Sequence, residues 1–229
     1  MKKIISGLAA GVFLALVVPL AAQTTNDSVS TNSVPTDYKL PPLQQPSGTD
    51  DPWTSLGIGQ GFSSHAQEVG VSLGAGEETR DLGGKAHHDI ALSRFYYGHV
   101  LDDLVGAGHW YNGNFEMMPE VFGGAQYYRE SRYVFGATAI VRYSVATGTR
   151  WVPFLDAGGG GSLTNIKNPD LGSIEEFNAQ IGPGFMWFWR DNVALTLQYR
   201  YLHMSSAGLS SPNQGVNENI AYVGMSWFF

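Results

Sequence analysis

The sequence predicts an all-β chain: an eight-stranded antiparallel transmembrane β-barrel. Three observations point to it. Apolar and polar residues alternate with a period of two in segment after segment beyond Gln67. Short and long connections alternate between those segments. The chain then ends on Val223, Met225, Trp227 and Phe229 in strict alternation, with an aromatic residue last. Period two with one apolar and one polar face suits a strand that meets lipid on one side and a lumen on the other.

The N-terminus is set apart from this pattern. Lys2 and Lys3 precede an apolar run from Ile4 to Leu20, and small Ala21 and Ala22 lead into polar Gln23. That order of charge, apolar core and small-residue exit describes a secretory signal peptide over residues 1–22. A membrane-spanning helix is the competing account. Gly7, Gly11 and Pro19, with no basic stop-transfer cluster behind them, weigh against it. Residues 23–64 are rich in Thr, Ser, Asn, Pro and Gln without helical or strand period. They are expected to form a disordered periplasmic segment, with Trp53 and Leu56 able to dock locally. Residues 65–229 carry the barrel.

Composition agrees. Aromatic residues make up 13% of the chain, charged residues only 14%, and glycines number 29, which suits a barrel whose outer wall faces lipid. There is no cysteine, so neither a disulfide framework nor a lipid-modified cysteine is available. A barrel needs no such staple, because it closes its own backbone hydrogen bonds. The formal charge of −7 becomes more negative when Lys2 and Lys3 leave with the leader, and no basic run exists, so nucleic acid is not an expected partner.

Five segments alternate cleanly. Val69, Val71, Leu73 and Ala75 share one face. So do Tyr111, Gly113, Phe115 and Met117; Tyr133, Phe135, Ala137, Ala139, Val141 and Tyr143; Phe177, Ala179, Ile181, Phe185, Trp187 and Trp189; and Val193, Leu195, Leu197, Tyr199 and Tyr201. Two segments are less regular. In His88–Val100, Arg94 shares parity with Ile90 and Leu92; Arg150–Gly160 contains Pro153 and runs into glycines. The short connections are expected near Leu101–Val105, Ala146–Gly148 and Arg190–Asn192. The long ones are expected at Glu77–Lys85, Pro119–Glu130, Ser162–Ser173 and Ser206–Val216. A soluble β-sandwich or lipocalin-like barrel is the rival fold, but it requires neither this alternation nor aromatic bands near strand ends. On the opposite parity Asn112, Asn114, Glu116, Arg142, Asp156, Gln180, Gln198 and Arg200 should converge inside. Eight strands leave an interior just wide enough to be filled by side chains, so these form a polar plug rather than a pore lining.

One cluster carries possible chemistry. Arg200-Tyr201-Leu202-His203-Met204-Ser205-Ser206-Ala207-Gly208-Leu209 is followed by Pro212-Asn213-Gln214-Gly215. His203 and Ser205 lie two apart at the end of a strand, so they share a face, and by parity that is the lipid face of Leu195, Leu197 and Tyr199. A histidine beside a serine hydroxyl is the minimum for nucleophilic acyl transfer. Such pairs also arise by chance, and a histidine near a membrane boundary is often only an interfacial polar residue. His87-His88 offers metal-ligand chemistry, but no partner cluster with ligand spacing is visible and a loop position is expected. GIGQG at Gly57–Gly61 lacks the strand and helix a nucleotide loop needs and reads as a turn. Gly158–Gly161 reads as a place of close approach in the barrel wall.

The motif H-x-S-[NS]-A-G-L followed by P-N-x-G resembles the outer-membrane lipid A 3-O-deacylases, the PagL-type, acyloxyacyl-hydrolase-like family. The resemblance is strongest over Val193–Phe229 and extends loosely to W-x-P-F-L-x-A-G-x-G at Trp151–Gly160. It implies an esterase that removes an ester-linked acyl chain from lipid A of lipopolysaccharide at the bacterial outer membrane. His203 would be the general base and Ser205 the nucleophile, with no metal or cofactor, and the outer-membrane lipid would be its surroundings. An acyl chain would lie along Leu195, Leu197 and Tyr199. The terminal alternation resembles the pattern recognised by the outer-membrane assembly machinery. Two positions depart from the family. Ser206 stands where an oxyanion-stabilising Asn is usual, leaving its hydroxyl or backbone N–H, and the Gly208 N–H, as candidate donors. Asn217 stands where a Glu orients the histidine, with Glu218 next to it. Asn217 has outward parity and Glu218 lumenal parity, unless a bulge turns Glu218 outward. These departures also leave open a non-catalytic barrel with a structural, adhesive or surface-binding role.

Overall fold

A computed structural model describes residues 61–127 and 130–229. The leader, most of the polar segment, Trp53 and Leu56, and the first four residues of GIGQG lie outside the described residues. The strands are β1 (Gln67–Glu78), β2 (Ile90–Val100), β3 (Gly113–Gln126), β4 (Arg132–Val145), β5 (Trp151–Thr164), β6 (Glu175–Arg190), β7 (Val193–Ser205) and β8 (Val216–Phe228). Every neighbouring pair is antiparallel, and β8 returns to β1 to close the barrel. Closure satisfies each strand's backbone groups and leaves no edge, the condition for a β structure to cross a bilayer. The end carrying Ala66 and Phe229 is called periplasmic here, as in outer-membrane barrels, and the opposite end the outer end.

The outward face is apolar along its length: Leu73, Phe95, Val121, Phe135, Leu155, Ile181, Leu197 and Val223 are all exposed. Toward the periplasmic end, exposed Trp151, Trp187, Trp189 and Trp227 join Phe115 and Tyr97 in an aromatic girdle. The Trp151 and Trp187 rings lie 5.9 Å apart, centroid to centroid. Amphipathic rings at this level match a membrane–water boundary.

The lumen is filled in three layers. The middle layer is ionic. Arg142 donates to Asp156 (2.8 and 3.2 Å) and to Glu68 (3.0 Å). Arg200 donates to Glu120 (2.8 Å), Asp156 (2.8 Å) and Gln180 (2.9 Å). Arg94 reaches Gln198 (2.9 Å) and Glu120 (3.3 Å). The arginines also stack on rings: Arg94 lies 3.8 Å from the centroid of Tyr222 and Arg142 lies 4.0 Å from that of Phe154. Above this layer sits a cluster that includes Ile90, Leu92, Leu202, Met204 and Ile220; below it another includes Val100, Val152, Met186, Phe188 and Phe228. The expected polar plug is therefore present, with apolar caps added. It accounts for the mixed parity of β2, where Ile90, Leu92 and Arg94 all point inward. Of the residues expected in the plug, Asn112 differs. It precedes β3 in a turn, where its N–H donates to the His109 carbonyl.

Two connections depart from expectation. The link between β2 and β3 spans 101–112, longer than expected, and the one between β3 and β4 spans 127–131, shorter than expected. The cause of the second is Pro119, which reads as a breaker but lies within β3. It faces outward opposite Ala139 of β4, and the β2–β3 ladder skips from Tyr96↔Glu120 to His99↔Met117. A proline without an N–H fits where the ladder is already interrupted. In the glycine run, a Cβ on Gly158 or Gly160 would fall 2.1 or 2.0 Å from a β4 carbonyl oxygen, so close approach is the reason for glycine there. The end of the polar segment is also ordered. Phe62 is buried, stacks on Phe228 at 5.1 Å and donates its N–H to Asn114 (2.8 Å), which closes the periplasmic mouth.

Two outcomes check this architecture. Arg142→Ala strands Glu68 and takes from Asp156 one of its two guanidinium partners, and is expected to cost about 3–5 kcal/mol, read as a lower urea midpoint for the barrel in lipid vesicles. Because the chain has no cysteine, single introduced thiols report sidedness. Leu209→Cys, at an exposed outer-end position, should react with an impermeant maleimide on intact cells, and Asp191→Cys should not. Reversed labelling refutes the orientation.

Candidate active site

β7 and β8 build the site together. Their register is unbroken and pairs His203 with Asn217 and Leu202 with Glu218. Residues directly opposite in an antiparallel pair share a face. His203 and Asn217 therefore point outward together, with Ser205 two residues further along β7. The His203 Nε2 lies 3.0 Å from Ser205 Oγ, and Nδ1 lies 2.6 Å from Asn217 Oδ1. The structure brings these three residues together: one hydrogen-bonded chain runs Ser205–His203–Asn217 at the outer end of the wall.

The partners set the tautomer. Asn217 Oδ1 only accepts, so Nδ1 carries the proton and the Nε2 lone pair faces the serine hydroxyl. That is the arrangement a general base needs. Tyr201, two residues before His203 and so on the same face, donates its hydroxyl to the same Asn217 oxygen at 3.1 Å. Sequence reasoning placed Tyr201 only in the apolar stripe; its shared parity and its diagonal position to Asn217 were the available signals. Asn217 has no exposed surface, and its Nδ2 has no hydrogen-bond partner among the described residues. Gly215 was also missed. It closes the P-N-x-G motif with φ of 82°, and a Cβ there would sit 2.9 Å from the His203 ring. A side chain at 215 would push the imidazole out of line.

Other expectations need correction. Glu218 does not join the chain. With no bulge between β7 and β8, its carboxylate points into the lumen, opposite Glu78 of β1. Ser206 is not presented to the site either. Its side chain is buried, and its N–H (2.8 Å) and hydroxyl (2.9 Å) both donate to Asn213 Oδ1, anchoring loop 206–215. Gly208 stands differently. Ala207 and Gly208 have φ of 52° and 87°, the handedness of a type I′ turn, closed by the Leu209 N–H donating to the Ser206 carbonyl at 3.0 Å. The Gly208 N–H finds no acceptor among the described residues. Leu197 and Tyr199 are exposed and Leu195 half-buried on the outer wall below Ser205. Beside the site lies a groove of about 530 Å³. Leu163, Phe177 and Leu209 line one part of it, and Ser173, Ser210 and Glu176 another. Phe177 is the cross-strand partner of Ser205.

Comparison with known proteins places this geometry in context. The profile of the family described as "Lipid A 3-O-deacylase (PagL)" matches residues 96–226, more than half the chain and inclusive of His203, Ser205 and Asn217. A relative named "Lipid A deacylase PagL", from Bordetella bronchiseptica, is 31% identical over 118 residues, covering 48% of this chain and 61% of the relative. The chain thus matches less than two thirds of that relative's length. Among solved structures, the outer-membrane enzyme PagL superposes with a TM-score of 0.50 at 19% identity, over 68% of this chain and 97% of that one. Neisserial surface protein A superposes with a TM-score of 0.56 at 16% identity, over 72% of this chain and 99% of that one. Both share the barrel fold, and this chain is an outer-membrane β-barrel. The profile match, which spans the strand pair holding the Ser205–His203–Asn217 chain, shows that this protein belongs to the lipid A 3-O-deacylase (PagL) family.

Proposed function

We propose that the protein is a serine esterase that removes an ester-linked acyl chain from lipid A, the 3-O-linked chain by family analogy. The observation that carries this reading is the Ser205–His203–Asn217 chain on the outer wall. A nucleophile there meets substrates held in the outer leaflet. The acyl chain lies along Leu195, Leu197 and Tyr199, beside small Ala221 of β8, which is the cross-strand partner of Tyr199. The saccharide sits above, where Ser173 and Ser210 edge the groove.

In the reaction, Ser205 Oγ attacks the ester carbonyl carbon while His203 Nε2 takes the hydroxyl proton. Negative charge builds on the carbonyl oxygen, and the uncommitted Gly208 N–H is the donor best available to it. Collapse breaks the carbonyl–alkoxy bond, and His203 returns the proton to the sugar oxygen. Water, deprotonated by His203, then releases the fatty acid and restores Ser205. Asn217 and Tyr201 hold the imidazole, but Asn217 offers the transient imidazolium no negative charge. The barrel reaches the membrane through the assembly machinery that reads terminal strands such as Val223–Phe229.

Ser205→Ala and His203→Ala are each expected to lower kcat by about 10⁴-fold or more while the barrel stays folded, because both side chains sit on the outer wall. Mass spectrometry of lipid A from expressing cells reads the loss of one acyl chain. Correctly folded wild-type protein that removes none from any lipid A supplied would leave a non-catalytic barrel. Asn217→Asp replaces the unpartnered Nδ2 with a second carboxylate oxygen, and kcat should rise about tenfold through stabilisation of the imidazolium. A fall in kcat would show that the carboxylate disturbs the tautomer rather than supporting it.

A further inference from the structure

At the outer mouth of the lumen, three residues far apart in sequence converge. Glu78 ends β1, His88 lies in the connection to β2, and Asp170 lies in the connection 165–174. One ligand atom from each lies within 4.8 Å of the other two. His88 Nε2 is 2.9 Å from Asp170 Oδ2, and Nδ1 is 3.1 Å from the amide oxygen of Gln126. Both ring nitrogens therefore face oxygen acceptors. A neutral imidazole carries one proton and can satisfy only one of them, so the second contact needs either a second ring proton or a metal cation.

A separate observation points the same way. Glu218, the lumen-facing cross-strand partner of Glu78, has no exposed surface. Among the described residues no side chain donates to the carboxylate of Glu218 or of Glu78, which have only the backbone N–H groups of Ile90 and His88 near them. Among the described residues, no lysine or arginine makes an ion pair with Glu78, Asp170 or Glu218. Desolvated carboxylates left together without a cation are unfavourable.

We infer that Glu78, His88 and Asp170, with Glu218 beside Glu78, form a binding site for one divalent metal cation. The missing positive species is then the metal at His88 Nε2, and the contact from Nδ1–H to Gln126 becomes the supporting hydrogen bond that orients a ligating histidine. One imidazole nitrogen among carboxylate oxygens suits Mn²⁺ or Zn²⁺ better than Mg²⁺ or Ca²⁺, whose sites are built from oxygens. The Asp170 carboxylate already accepts the N–H groups of Lys85 (2.6 Å) and Ala86 (2.9 Å), and its carbonyl accepts the Gln214 N–H (2.8 Å). A cation here ties the loops 79–89 and 165–174 to the strand start that carries Asn217, next to Glu218. It takes no part in the acyl chemistry, and the site does not depend on that chemistry.

The test uses the folded barrel in detergent, stripped with EDTA and titrated calorimetrically with Zn²⁺ and, separately, Mn²⁺. One equivalent of at least one cation should bind. Glu78→Gln and His88→Ala should each weaken binding by about tenfold or more while retaining the gel mobility of a folded barrel. Glu78→Gln keeps the shape of the site should His88→Ala fail to fold. Trypsin cleavage after Arg80 or Lys85 should slow in the loaded protein. Absence of one-equivalent binding by either cation, or binding that survives both substitutions, overturns the proposal. In that case a doubly protonated His88, visible in its ¹⁵N ring shifts, holds Asp170 instead.

Discussion

The ion pairs inside the barrel are the constraint on which the rest depends. An eight-stranded wall encloses too little space for water to solvate charge, so every buried guanidinium must find its carboxylate within the lumen. Arg142 joins β4 to β5 and β1, and Arg200 joins β7 to β3 and β5. Arg142–Asp156 links neighbouring strands, and the bonds from Arg142 to Glu68 and from Arg200 to Glu120 and Asp156 cross the lumen. They fix which residue of each strand faces inward at mid-height, and thereby the parity of every strand. Parity in turn decides that His203, Ser205 and Asn217 face the membrane and that Glu218 does not. The chemistry on the outside is aligned by the electrostatics on the inside.

A site on an outer wall lacks the concave shell that usually immobilises catalytic groups. Here the restraint comes from the sheet. Cross-strand pairing sets His203 against Asn217, Tyr201 shares the asparagine oxygen, and Gly215 lets the backbone close against the ring. Loop 206–215 is pinned by Asn213 rather than by contact with a covering domain. Few residues are involved, and nearly all lie on two adjacent strands, which is why so much of the arrangement could be read from spacing.

What was legible in the sequence follows from that locality. Period two assigns inside and outside, so the strands, the plug and the Ser205–His203–Asn217 face were all accessible from parity and the motif. Pro119 misled because local chemistry argued for a break, while the real ladder already had a gap to receive it. Ser206 misled because adjacency to Ser205 places it on the opposite face, where Asn213 takes both its donors. Phe62 gave no signal, since a single aromatic in a polar segment has no period. Glu78, His88 and Asp170 were invisible as a group because only closure of the barrel brings their loops together. His88 looked like an isolated loop histidine for that reason.

The layered lumen has a further consequence. With Phe62 and Phe228 sealing one end, aliphatic side chains the other and interlocked charges between, the described residues fill the axis of the lumen with side chains. A lumen packed in this way seals itself as a soluble core does, so the wall can carry chemistry on its outside without opening a pore through the membrane it spans.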